Sequence, residues 1–224
     1  GMSSARLSID MGDMGTLAFD QGSGSGLATI DDKTPTAAEE IWDGLDGLTV
    51  GGLVGAAGNS GVWNYVKTMG GVTFNGAARK GSGAANTDGA SSGAGGSAWD
   101  FALTGSGDMV GVDGLSWGAG YGKADSGEQT VANTGKDEGD VEHMTGFINY
   151  AMGPMTVGYQ KSHIDGGNTG AANAQQKTEA WGIALAVNEN FSVSYGERDV
   201  EYGKTAGTEN VTEAGEGIAI SYTM

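Results

Sequence analysis

The chain has 224 residues, with 11 Lys and Arg against 28 Asp and Glu, giving a formal charge of −17 and a pI near 4.2. That length suits one large all-β domain, and the acidity excludes a nucleic-acid surface, which needs clustered Lys and Arg. There is no cysteine, so disulfides, thiol catalysis and cysteine-type zinc sites are excluded together. Hydrophobic residues make up 38% of the chain, thin for a packed soluble core, and no run approaches the roughly 18 apolar residues of a membrane-spanning helix.

What the chain does have is a period of two. Leu7, Ile9 and Met11 alternate with Arg6, Ser8 and Asp10, and the turn Gly12-Asp13-Met14-Gly15 leads into a second run with Leu17 and Phe19. A less regular run at 62–69 ends in Met69-Gly70-Gly71-Val72-Thr73-Phe74, which recurs as Met152-Gly153-Pro154-Met155-Thr156-Val157. Both copies carry a tyrosine, Tyr65 or Tyr150, just upstream. Two-residue connections of Gly or Gly-Pro between alternating runs predict β-hairpins. Trp99, Phe101 and Leu103 then alternate with Asp100, Ala102 and Thr104, and Leu115, Trp117, Ala119 and Tyr121 alternate with Ser116, Gly118, Gly120 and Gly122. Met144, Ile148 and Tyr150 oppose His143, Thr145 and Asn149, while Met155, Val157 and Tyr159 oppose Thr156, Gly158 and Gln160. With the runs at 181–187, 191–195 and 218–224, the pattern predicts about eleven antiparallel strands in an up-and-down sheet.

The composition of the two faces decides what surrounds that sheet. The polar parity is mostly Ser, Thr, Gly, Ala and Asn, whereas the apolar parity is rich in aromatics such as Trp63, Trp99, Trp117, Tyr159, Trp181 and Tyr195. A polar lumen and aromatic girdles are what a transmembrane β-barrel requires. The alternative is a non-transporting extracellular β protein, an adhesin or a soluble sandwich whose aromatics fill a core. Connection lengths favour the barrel. Tight turns at 12–15, 70–71, 153–154 and 188–190 alternate with long polar segments near 21–61, 81–96, 124–140, 164–176 and 204–214, and only the connection at 105–114 falls between the two lengths.

Segment 21–61 is distinct, with Asp31, Asp32, Glu39, Glu40, Asp43 and Asp46 against the single Lys33. Thr36 and Glu39 have the spacing of a capping box and Gly44 suits a C-terminal stop, so a short helix is expected over 37–43. Ile41 and Trp42 would pin this segment to an apolar surface rather than leave it in solvent. Asp31-Asp32, Asp137-Glu138 and Asp140 offer hard oxygen ligands for calcium, without any EF-hand spacing. His143 and His163 are the only histidines and have no ligand-spaced partner. No nucleophile elbow or phosphate loop occurs, so the chain does not read as an enzyme.

The hairpin Ser8-Ile9-Asp10-Met11-Gly12-Asp13-Met14-Gly15-Thr16-Leu17-Ala18-Phe19-Asp20, followed by the acidic segment with Glu39-Glu40-Ile41-Trp42-Asp43, resembles bacterial outer-membrane general porins of the alphaproteobacterial type. The resemblance implies a barrel of roughly sixteen strands, commonly a homotrimer, whose third extracellular loop folds inward and narrows the pore. It also implies that about three strands would precede Ser4 and that another would follow Met224, so that 1–224 would be part of one porin domain with 21–61 as its constriction loop. The function implied is passive diffusion of small hydrophilic solutes and ions across the outer membrane, with a preference for cations. Asp31, Asp32, Glu39, Glu40 and Asp43 would form the acidic lip, and Arg6, Arg79 and Arg198 have the parity to project into the lumen as counter-charges. The expected partners are outer-membrane lipid and the transported solutes.

Overall fold

The computed structural model describes residues 6–20, 26–38, 61–80, 97–124, 141–165, 175–203 and 211–224. Eleven strands carry the architecture: β1 (Leu7–Asp10), β2 (Thr16–Asp20), β3 (Val62–Met69), β4 (Val72–Arg79), β5 (Ala98–Ser106), β6 (Leu115–Ala124), β7 (Val141–Met152), β8 (Met155–Asp165), β9 (Gln175–Asn188), β10 (Phe191–Gly203) and β11 (Val211–Tyr222). They form one sheet in strict chain order, every neighbour antiparallel, with β1 and β11 at its two edges. The strand count and the up-and-down topology are those expected from the period-two runs.

The repeated hairpins form as their sequences predict. Gly70 and Gly71 both have positive φ, +57° and +85°, the signature of a type I′ turn, whose twist matches the strands it joins. At the second copy Gly153 has φ +59°, and Pro154 supplies the fixed negative φ that follows it in a type II′ turn. The β1–β2 connection is longer and includes a 3-10 turn over Gly12–Met14. The 105–114 connection contains another, Gly107–Val110. Because neighbouring strands alternate in direction, all five odd-to-even connections close one rim of the sheet, and the even-to-odd connections, which include the longest, close the other.

The sheet is inside-out. One face carries the buried polar side chains Asn64, Asp100, Thr145, Gln160, Ser162, Ser194 and Arg198. The other leaves Trp63, Trp99, Ile183, Leu185 and Ile220 exposed, from 37% to 60%, with Trp117 and Val193 half-buried on the same parity. A soluble sandwich would bury that second face, so the sandwich reading is excluded. Aromatic pairs run along the outward face: Phe19–Trp63 at 5.0 Å, Phe74–Phe101 at 6.0 Å, Trp99–Tyr121 at 5.6 Å and Trp181–Tyr195 at 5.5 Å between ring centroids. Beyond this belt, towards the long-connection rim, the outward positions turn charged. Trp181 Nε1 donates to Glu197 Oε2 at 3.1 Å, the Tyr195 hydroxyl donates to Glu216, and Lys161 pairs with Glu179. An apolar stripe bounded by amphipathic rings and then by charge is the outward profile that a bilayer selects.

Candidate functional site: a segment laid across the concave wall

Between β2 and β3 the chain enters the concave side. Its 3-10 turn, Gly26–Ile30, packs on β4 to β7, and Leu27 and Ile30 are fully buried with Ala102 and Phe147 beside them. Room for Leu27 comes from β6, whose inward positions are Gly118, Gly120 and Gly122. A Cβ on Gly120 would collide with the Leu27 side chain. The chain continues to residue 38 past β8, β9 and β10, so residues 26–38 span much of the inner wall.

Polar side chains of the wall hold this segment by its backbone. The Gly26 N–H donates to Asn75 Oδ1 at 2.9 Å, and the Leu27 N–H donates to Asp100 Oδ1 at 3.0 Å. Gln160 binds twice, accepting from the Lys33 N–H at 2.6 Å and donating through Nε2 to the Ile30 carbonyl at 2.9 Å. Asn149 Nδ2 donates to the Lys33 carbonyl at 2.7 Å, and the Ala37 N–H donates to Ser194 Oγ at 2.8 Å. Buried peptide groups need partners at close to full occupancy, and this segment, having no strand neighbour, takes them from side chains. Pro35 lies against Gly158 and Gly182, where a Cβ at Gly182 would come within 2.6 Å of the Pro35 carbonyl oxygen. Those two glycines belong to a row in register across four strands, Gly158, Gly182, Gly196 and Gly217, a strip of inner wall without side chains.

The anticipated site residues fall into two groups. Asp31 and Asp32 lie in the fastened segment, half-buried, and Asp32 adopts φ +43°, a left-handed conformation that Asp tolerates better than most residues. Glu39, Glu40 and Asp43 lie outside the described residues. So does most of the helix expected over 37–43. Its first two positions, Ala37 and Ala38, are bends, and the Ala38 N–H donates to Thr36 Oγ1 at 3.4 Å. Within the described part of the segment the helical turn is the 3-10 turn Gly26–Ile30, which has neither a capping box nor a helical apolar period.

The three arginines occupy inward positions. Arg6 Nη2 donates to Asn64 Oδ1 at 3.4 Å, and Asn64 Nδ2 donates in turn to Asn75 Oδ1, the acceptor that holds Gly26. Arg79 ends β4 on the inner parity, opposite Val62. Arg198 is buried on β10 in the register row of Ala180 and Gln160, two strands or about 10 Å from the clamp on Lys33. His143 is buried on the inner wall, as its parity predicts. His163 sits on the outward parity of β8, opposite Met144, two residues before the strand ends. Among the described residues no three His, Asp or Glu side chains converge as metal ligands, and the second acidic group, Asp137, Glu138 and Asp140, lies outside them.

The residues that place the segment, Asn75, Asp100, Asn149, Gln160 and Ser194, were not singled out by sequence reasoning. For two of them a signal was present: on the polar parity of β7 and β8, Asn149 and Gln160 neighbour the bare Gly158. That juxtaposition marks a wall shaped to receive another piece of chain.

An inside-out antiparallel sheet with a segment folded against its polar face is the architecture of a channel wall, and the family comparison agrees. The chain belongs to the Gram-negative porin family, whose model matches residues 1–224. It is therefore a protein of the bacterial outer membrane and a diffusion channel, not an enzyme. Among solved structures it is similar to a porin refined at 1.8 Å, with 15% identity, a TM-score of 0.60, and coverage of 92% of this chain and 67% of that one. It is similar also to OmpT, an outer membrane protein of Vibrio cholerae. The loop L8 deletion mutant of OmpT gives 15% identity, a TM-score of 0.60 and coverage of 96% and 68%, and the in-vitro folded form gives 13%, 0.57, and 98% and 64%. The chain thus spans about two thirds of the length of these structures. No curated protein matches it.

Proposed function

We propose that this porin is a cation-preferring passive channel for small hydrophilic solutes, working as a homotrimer, in which the acidic segment 21–61 forms the narrowest part of the lumen. The observation that carries the reading is the fastening of residues 26–38 to the concave wall, which keeps Asp31 and Asp32 on the solute side of the sheet. Glu39, Glu40 and Asp43 follow within a few residues of the last clamp. In a passage narrowed by protein, the effective dielectric falls from about 80 towards about 20, so each carboxylate acts on a passing ion roughly four times more strongly than on an open surface. Arg6, Arg79 and Arg198 supply opposing charge on the wall and shape the transverse field. Selectivity of this kind comes from size and field alone and needs no energy source.

The test is the reversal potential across a planar bilayer under a salt gradient. Asp31→Asn with Asp32→Asn removes two charges without changing side-chain size, and Asn is at ease in the left-handed conformation of residue 32. Glu39→Gln, Glu40→Gln and Asp43→Asn remove the remaining three. Both sets are expected to lower cation preference with little change in conductance at high salt. Carboxylates on an outer, solvated loop would be screened within about 8–10 Å, so an unchanged reversal potential in both variants rejects the proposal.

A further inference from the structure

We propose that the outward face of β3–β5 holds a seat for one acyl chain of an anionic outer-membrane lipid, with Lys80 and Lys123 at the level of its headgroup. The inference is independent of ion selectivity. A groove of about 330 Å³ runs along this face, walled by Trp63, Tyr65, Phe74 and Trp99, with Gly76 and Ala78 at its floor. Its shape follows from register. Ala78 on β4 stands between Trp63 on β3 and Trp99 on β5, so a single methyl group is flanked by two indoles. At Gly76 the missing side chain lets the Phe74 ring lie along the strand, since a Cβ there would sit 2.7 Å from that ring. The walls are braced by stacking, Phe74 on Phe101 and Phe101 on Trp99 with interplanar angles of 19° and 3°. The Tyr65 hydroxyl is committed elsewhere, donating to the Met14 carbonyl at 2.5 Å.

Two observations identify the occupant. The groove is continuous with the exposed apolar band that faces hydrocarbon in an outer-membrane protein, where an aliphatic chain is the local solvent. An unfilled trough between flat rings forfeits dispersion contacts on every side, and a linear chain recovers them at little cost to its own packing. The second observation is charge. In a chain of net charge −17, two lysines stand among the described residues at this end of the groove, one of them paired with a carboxylate. Lys80 is exposed and falls on the parity of Ala78, two residues further along the chain. Lys123 pairs in register with Trp99, and the carboxylate beside it is Glu142, 3.9 Å away. On the opposite flank of the sheet the corresponding outward positions are Glu179, Glu197, Asp199, Glu201 and Glu216, against Lys177 on β9 and Lys161, which pairs with Glu179. An anionic headgroup is therefore attracted above β4–β6 and repelled above β9–β11.

The test uses the full chain folded into phosphatidylcholine vesicles containing a minor fraction of phosphatidylglycerol, with brominated acyl chains on one lipid or the other. Trp42→Phe, Trp117→Phe and Trp181→Phe restrict emission to Trp63 and Trp99. Brominated phosphatidylglycerol is expected to quench several-fold more than brominated phosphatidylcholine at the same mole fraction, as two lysines at the membrane surface imply. Lys80→Gln with Lys123→Gln should abolish that excess while leaving quenching by phosphatidylcholine intact. Ala78→Leu, at an exposed position, should fill the groove and lower quenching by both lipids. Equal quenching by the two lipids in the parent chain overturns the proposal, as does an excess that survives loss of both lysines. Efficient disulfide formation between copies carrying Ala78→Cys would assign the groove to a second copy of the chain and overturn it equally.

Discussion

Gln160 is the residue on which the position of the inner segment most depends, because one side chain satisfies both a backbone donor and a backbone acceptor of that segment. Gln160→Leu leaves the Lys33 N–H and the Ile30 carbonyl without these partners, at about 1–3 kcal/mol for each buried group orphaned. The expected result is reduced resistance to urea together with larger open-channel current noise in single-channel recordings. Gly182→Val acts from the other side. A Cβ within 2.6 Å of the Pro35 carbonyl forces the segment off the wall and into the passage, so conductance should fall while folding yield stays near that of the parent chain. Neither residue stood out in the sequence. Gln160 and Lys33 are 127 positions apart, and no local pattern reports a contact of that kind. Arg6, Arg79 and Arg198 were legible as inward residues because parity alone places them.

The strands themselves were readable since a period of two is a local property, and each run carries its own assignment. The hairpins were readable for the same reason: Gly70-Gly71 demands one turn geometry and receives it. Gly71→Val should cost about 1–2 kcal/mol by placing a β-branched residue at positive φ, with a matching fall in the urea midpoint of the folded protein in vesicles. The segment after β2 was readable only in part. Its acidity and its Ile41-Trp42 pair suggested an inward path, and residues 26–38 do lie inside. The helix expected over 37–43 lies mostly outside the described residues, while the 3-10 turn at Gly26–Ile30 carried no sequence signal.

At the scale of the whole molecule, the distribution of polarity across the sheet is what separates a membrane wall from a soluble one. Ile183 lies within the outward apolar stripe of β9, and Glu179 lies beyond Trp181 on the same parity. Ile183→Lys should destabilise the protein in lipid vesicles by about 2–4 kcal/mol, whereas Glu179→Lys should cost no more than about 1 kcal/mol. Denaturant titration of both variants in vesicles checks the difference. A soluble fold would show no such dependence on depth. This global property was legible before any coordinates, since the girdle aromatics and the Ser, Thr and Gly parity fall on opposite faces of each run. The order of strands around the sheet followed from the alternation of short and long connections.

One consequence of the wall clamps reaches beyond mechanics. The six bonds from Asn75, Asp100, Gln160, Asn149 and Ser194 all engage peptide groups of the inner segment, at Gly26, Leu27, Ile30, Lys33 and Ala37, and none of the six uses a side chain of that segment. Apart from the seats of Leu27, Ile30 and Pro35, the wall therefore recognises the path of the segment rather than its spelling. Asp31 and Lys33 can then change without losing these six clamps, Asp32 at φ +43° is restricted to residues such as Asn and Gly, and a lineage facing a new nutrient supply can retune its filter by point substitution. The inherited part of the device is the strip of wall; the negotiable part is the chain that crosses it.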